Sequence, residues 1–107
     1  MNVLLVCMAG ISTSLLVNNM RKFAAPEDKI EARPVADLDE VIRDYDTILL
    51  GPQIRFRLAE VESRALPLGK PVGVLDMRLY GTMDGKAAMD YARSLLNSPP
   101  RPATPSL

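Results

Sequence analysis

The 107-residue chain contains no histidine, no tryptophan and one cysteine. Each absence removes a class of chemistry. Without an imidazole, Ser-His-Asp and Cys-His hydrolytic schemes have no base within this chain. A lone cysteine cannot build a zinc site or an internal disulfide, and it has no resolving thiol for a relay. No metal or organic cofactor is expected. Thirteen basic residues cancel thirteen acidic ones, so the broad positive field that nucleic acid or anionic lipid would attract is missing. No apolar run approaches the roughly 20 residues of a membrane span, and MNVLLV lacks the features of a signal peptide. The expectation is a soluble cytoplasmic monomer with no nucleic-acid partner and no direct membrane insertion.

Only five residues are aromatic in a chain that is 48% hydrophobic. The core must therefore be built from Leu, Val, Ile, Ala and Met, which suits helices packed over buried parallel strands. Asn2 to Val6 is a short apolar run without periodicity, consistent with a strand buried on both faces and ending at Cys7. Gly10 permits a turn, Ser12 can cap a helix, and Leu15, Leu16, Met20, Phe23 and Ala24 fall on or near one helical stripe before Pro26. A weaker strand follows at Lys29 to Val35, with the charged character of a sheet edge.

Asp37 and Glu40 have capping-box spacing ahead of Leu38, Val41, Ile42 and Tyr45. Thr47 to Leu50 is a third strand, stopped by Gly51 and Pro52, and Ile54, Leu58, Val61 and Ala65 mark one face of a third helix. Val72 to Leu75 makes a fourth strand. A loop from Asp76 to Met83 leads to a last helix capped by Asp84, with Ala88, Met89, Ala92, Leu95 and Leu96 facing inward. This alternation predicts an α/β fold: a four-stranded parallel open sheet with helices on both faces. The domain is expected to span residues 1–97. Residues 98–107, SPPRPATPSL, read as a Pro-rich disordered tail.

In open parallel sheets ligands bind beyond the carboxyl ends of the strands, where strand order reverses. Cys7, Gly51-Pro52-Gln53 and the Asp76 to Asp84 loop are all expected on that edge. A free cysteine is most often a small buried hydrophobe. Here, however, Cys7-Met8-Ala9-Gly10-Ile11-Ser12-Thr13-Ser14 runs from a buried strand into the amino end of a helix. Exposed amides and the helix dipole there suit a phosphate, and the same field favours the nucleophilic thiolate. Ser12, Thr13 and Ser14 could donate hydroxyl hydrogen bonds to phosphoryl oxygens, although Ser12 also suits a simple cap.

Low-molecular-weight tyrosine phosphatases place a cysteine loop after the first strand as well, but their C-x5-R-S pattern needs an Arg where this chain has Thr13. Without a guanidinium to clamp the transferring group, a phosphatase or arsenate-reductase-like enzyme is the weaker reading. A non-enzymatic regulatory module using the same edge is a second alternative.

Three motifs in order carry a family resemblance: C-x-A-G-x-S-T-S-L-L-V from Cys7 to Val17, L-L-G-P-Q-I from Leu49 to Ile54, and Y-G-x-x-D-G from Tyr80 to Gly85. From about Asn2 to Leu96 the chain resembles the enzyme IIB components of the lactose/cellobiose/chitobiose branch of the bacterial phosphoenolpyruvate-dependent sugar phosphotransferase system. The resemblance implies a flavodoxin-like topology close to that of the low-molecular-weight phosphatases. It also implies phosphorylation of Cys7 by a phosphohistidine on a IIA protein, with residues 8 to 14 as the phosphate loop. Transfer would then go to a sugar, such as cellobiose, chitobiose or lactose, held by a membrane-embedded IIC permease. Gln53 and Tyr80 could touch the loop or pack its rim, and Arg55 and Arg57 could steer a phosphorylated partner or pair with surface acids.

Overall fold

A computed structural model of the chain describes residues 1–7 and 13–97. The strands are β1 (Asn2–Cys7), β2 (Lys29–Pro34), β3 (Thr47–Leu50) and β4 (Val72–Val74), and they form one parallel sheet in the order β2-β1-β3-β4. The helices are α1 (Thr13–Arg21), α2 (Leu38–Val41), α3 (Leu58–Ala65), α4 (Met77–Gly81) and α5 (Gly85–Leu96), with short 3-10 turns beside several of them. No described helix is long and apolar enough to cross a membrane.

β1 lies between β2 and β3, which explains its unbroken apolar sequence. Because side chains alternate across a strand, its residues divide between two cores. Val3 and Leu5 pack with Leu16, Val17 and Met20 of α1 and with Ala88, Met89 and Ala92 of α5. Leu4 and Val6 pack with Leu38, Ile42, Val61 and Ala65 on the opposite face. Fully burying each such side chain contributes roughly 1.5–3 kcal/mol before conformational entropy is set against it. β2 pairs only with β1 and keeps Lys29 and Pro34 exposed, as an edge strand should.

Several local expectations are corrected. The stripe of α1 is Thr13, Leu16, Val17 and Met20. Leu15 is exposed because it lies about 100° around the helix from Leu16, and Phe23 is exposed because α1 has already ended at Arg21. The Asp37–Glu40 capping box does not form: Asp37 makes no cap hydrogen bond, and its Oδ2 instead accepts from Arg33 Nε at 3.3 Å. The stretch Asp76 to Met83 is not all loop but contains the five-residue helix α4. Leu96 ends α5 partly exposed rather than facing inward. Asp84 does cap α5, its Oδ1 accepting from the Ala87 amide at 3.0 Å. The tail at 98–107 lies outside the described residues.

Candidate functional site

The sheet order places the reversal between β1 and β3: the chain leaves β1 toward β2 and leaves β3 toward β4. A crevice therefore opens beyond the carboxyl ends of these two central strands. Cys7 is the last residue of β1 and stands at that position, with 9% of its surface exposed. Its thiol lies 3.8 Å from the Arg33 carbonyl at the end of β2, within range of a weak S–H donor interaction. Cys7 is thus buried at the carboxyl end of the sheet, with its sulfur beside the backbone of β2.

On the other side of Cys7, the Gly51 amide donates to the Val6 carbonyl at 3.1 Å, fixing the turn after β3 beside the end of β1. Gln53 folds back over this turn. A Cβ on Gly51 would meet Gln53 Oε1 at 2.8 Å, so the absence of a side chain at 51 is what lets the carboxamide lie there. Gln53 is exposed and stands on the crevice side of β3.

Thr13 opens α1 and is 2% exposed, while Ser14 beside it is open to solvent. No acidic side chain occupies the first turn of α1, so nothing there offsets the positive end of its dipole. Met8, Ala9, Gly10, Ile11 and Ser12 lie outside the described residues. Tyr80 is placed differently from a surface residue: on α4 it is 8% exposed and packs with the core that contains Leu5, Met20 and Leu75. The geometry favours its packing role.

Two of the clefts among the described residues lie toward this end of the sheet, and Cys7 lines neither of them. One, of about 310 Å³, runs between α1 and β2 and is lined by Ser14, Asn18, Arg21 and Arg33 among others. Its two guanidiniums are already engaged. Arg21 donates to the Ile30 carbonyl at 2.8 Å, and Arg33 pairs with Asp37. The other cleft, of about 520 Å³, lies beyond β3 and β4 and includes Pro52, Arg55, Leu75, Asp76, Met77 and Tyr91.

The two arginines after the Pro-Gln-Ile motif separate cleanly. Arg57 pairs with Glu60 at 2.9 Å, whereas Arg55 is exposed and makes no ion pair among the described residues. Sequence reasoning missed Phe56 and Met77, which are 74% and 66% exposed on the segments that follow β3 and β4. Their signal was a large apolar residue set beside arginine just after a strand, where no helical stripe requires it.

The family model "PTS system, Lactose/Cellobiose specific IIB subunit" matches residues 2–91. The chain is 41% identical over 101 residues to the PTS system galactose-specific EIIB component of Lactococcus lactis, covering 87% of this chain and 94% of that protein. The solution structure of a cellobiose-specific phosphotransferase IIB component from Borrelia burgdorferi superposes with a TM-score of 0.74 at 39% identity, covering 91% of this chain and 92% of that one. A PTS system lactose-specific EIICB component of Staphylococcus haemolyticus is 31% identical over 100 residues, which are 86% of this chain but 17% of that larger protein. A parallel sheet of this order with a cysteine at its reversal point, matched along nearly all of its described length, establishes that the chain belongs to the lactose/cellobiose-specific IIB subunit family of the sugar phosphotransferase system.

Proposed function

We propose that this chain is a phosphocarrier that takes a phosphoryl group onto Cys7 Sγ from the phosphohistidine of a IIA protein and passes it to a sugar held by a IIC permease. The observation that carries this reading is the position of the thiol. Cys7 ends the central strand at the switch point, buried at the carboxyl end of the sheet with its sulfur beside the Arg33 carbonyl. The segment 8 to 14, which runs from this sulfur into the first turn of α1, is the proposed phosphate loop, with backbone amides and the Ser12, Thr13 and Ser14 hydroxyls as donors. A relative in which IIB and IIC are named as one component supports a working contact between this domain and a permease.

In the first step the Cys7 thiolate attacks phosphorus in line; the S–P bond forms as the P–N bond breaks, and the departing imidazole nitrogen takes up a proton. In the second, a sugar hydroxyl attacks, the P–S bond breaks, and sulfur leaves as the thiolate while the hydroxyl proton passes to solvent or to a base on the permease. Positioning and amide donors aimed at the equatorial oxygens supply most of the acceleration. Thr13, standing where a phosphatase loop needs arginine, leaves no cation in this loop to clamp the group. That favours hand-over to a docked acceptor above hydrolysis.

The sugar is proposed to be a β-linked disaccharide of the cellobiose, chitobiose or lactose type. Relatives of about equal identity are named for galactose and for cellobiose, so selectivity is assigned to the permease. The test is reconstituted transfer: phosphorylated IIA, permease-bearing vesicles and this chain should together form sugar phosphate. Cys7→Ser should abolish it. Sugar phosphate formed at an undiminished rate by Cys7→Ser, or rapid aryl-phosphate hydrolysis by the chain alone, refutes the carrier assignment.

A further inference from the structure

The segments after β3 and β4 share a feature that phosphoryl chemistry at Cys7 does not use. Each sets an exposed large apolar side chain beside an exposed arginine: Arg55 with Phe56 in the turn Pro52–Arg57, and Met77 with Arg78 at the start of α4. Phe56 and Met77 are the two most exposed large apolar residues described, at 74% and 66%. Neither arginine makes an ion pair among the described residues, whereas Arg33, Arg57 and Arg64 all do. Both segments leave the carboxyl ends of their strands, on the same sheet edge as Cys7. Between them lies the cleft of about 520 Å³ that contains Arg55 and Met77.

Apolar groups kept in water at a sheet edge, flanked by unpaired guanidiniums, have the composition of a protein-docking face, where aromatic residues, Met and Arg are enriched. Resting on the carrier reading, we infer that this face receives the phosphorylated donor protein: Phe56 and Met77 bury against an apolar surface around its phosphohistidine, while Arg55 and Arg78 draw in the charge. Charge complementarity selects the donor over the permease. The phosphoryl dianion travels on the incoming protein only in the first transfer. In the second it already sits on Cys7, and the incoming sugar carries no charge. Asp76 lines the same cleft and reduces the positive field, so the two arginines are needed together.

A steering role predicts a rate effect that salt erases, and a docking role predicts one that salt leaves in place. The experiment follows phosphoryl transfer from phosphorylated IIA to this chain by rapid quench, at low and high ionic strength. Arg55→Gln/Arg78→Gln should lower the second-order rate constant about threefold to tenfold at low salt, and the difference should close at high salt. Phe56→Ser/Met77→Ser should slow transfer about tenfold or more at both. Both double variants should keep the wild-type rate of Cys7 alkylation by iodoacetamide and the wild-type unfolding midpoint, since all four side chains are on the surface. Discharge of the pre-phosphorylated chain to permease-bound sugar should not be slowed by the arginine changes.

Unaltered donor kinetics in both double variants overturns the inference. Equal slowing of the donor and permease steps overturns the assignment to the donor alone and makes the face common to both partners. Failure of the carrier reading is distinguishable, because wild type itself would then acquire no phosphoryl group on Cys7 from the donor.

Discussion

Gly85→Ala tests the packing that holds α1, and with it the start of the site, against the sheet. Gly85 is the buried first residue of α5 and faces α1 across a very close approach. A Cβ at 85 would lie 2.3 Å from the Asn19 carbonyl carbon, 2.4 Å from its oxygen and 2.6 Å from the Met20 nitrogen. All three are backbone atoms of α1, so no rotamer change relieves the contact. The two helices must move apart, and the shared core of Leu16, Met20, Ala88 and Met89 opens with them. Overpacking costs typically about 1–3 kcal/mol, with backbone clashes at the upper end. Helix propensity acts in the other direction, because Ala is better than Gly inside a helix by up to about 1 kcal/mol.

The clash should win, leaving a net loss of about 2–3 kcal/mol and a Tm lower by roughly 10–20 °C for a domain of this size. Gly81→Ala is the internal control. It has nothing within 4 Å of its added methyl and no positive φ, so it should gain about 0.5 kcal/mol. Urea unfolding followed by circular dichroism measures both. A Gly85→Ala protein as stable as Gly81→Ala would refute the reasoning.

Thr47 Oγ1 is buried with no hydrogen-bond partner among the described residues, so the isosteric Thr47→Val should stabilise by about 1 kcal/mol in the same urea assay. Asp84→Ala removes the cap on Ala87 and should cost about 1 kcal/mol, with Asp84→Asn recovering most of it. The Tyr45 hydroxyl donates to Glu31 and holds its carboxyl below the ordinary value of 4.5; that stability is present above 4.5 and is lost as pH falls through the lower folded value. Burial, then Glu31, raises Tyr45 itself above its ordinary value of 10.0, so this contribution is full below pH 10 and is lost as pH rises beyond it. Tyr45→Phe should therefore flatten the unfolding-midpoint profile at both ends; a profile unchanged from wild type would show that the pair adds nothing.

Much of the fold was legible because the strongest signals were also the most buried. Val3 to Val6 and Ile48 to Leu50 are apolar without periodicity, and the structure puts them in the centre of the sheet. Helical stripes located α3 and α5, although Ile54, expected on the face of the third helix, lies in the preceding 3-10 segment with non-helical backbone, and Asp84 was found as the cap of α5. Expectations failed where two local rules compete. Asp37 has cap chemistry, but Arg33 lies close enough to claim its carboxylate. Met77-Arg78-Leu79-Tyr80 lacks a long stripe, so only packing of Tyr80 into the core makes α4 visible.

The place of Cys7 was legible in the sequence: a thiol ending the first buried strand, as β1 shows, with the site role given to it remaining a proposal. The difference between Arg55 and Arg57 was not, since it depends on whether Glu60 lies one helical turn away on a segment whose geometry the sequence leaves open. Gly85 appears in a motif, yet its reason is a helix–helix approach that only three dimensions reveal.

The most direct test of the account is intact mass after incubation with phosphorylated IIA protein, read for wild type beside Cys7→Ser. Wild type should gain the mass of one phosphoryl group, labile to chemical cleavage of a sulfur–phosphorus bond, and Cys7→Ser should gain none. An adduct of equal yield on both proteins would place the phosphoryl group on another residue and contradict the role given to Cys7.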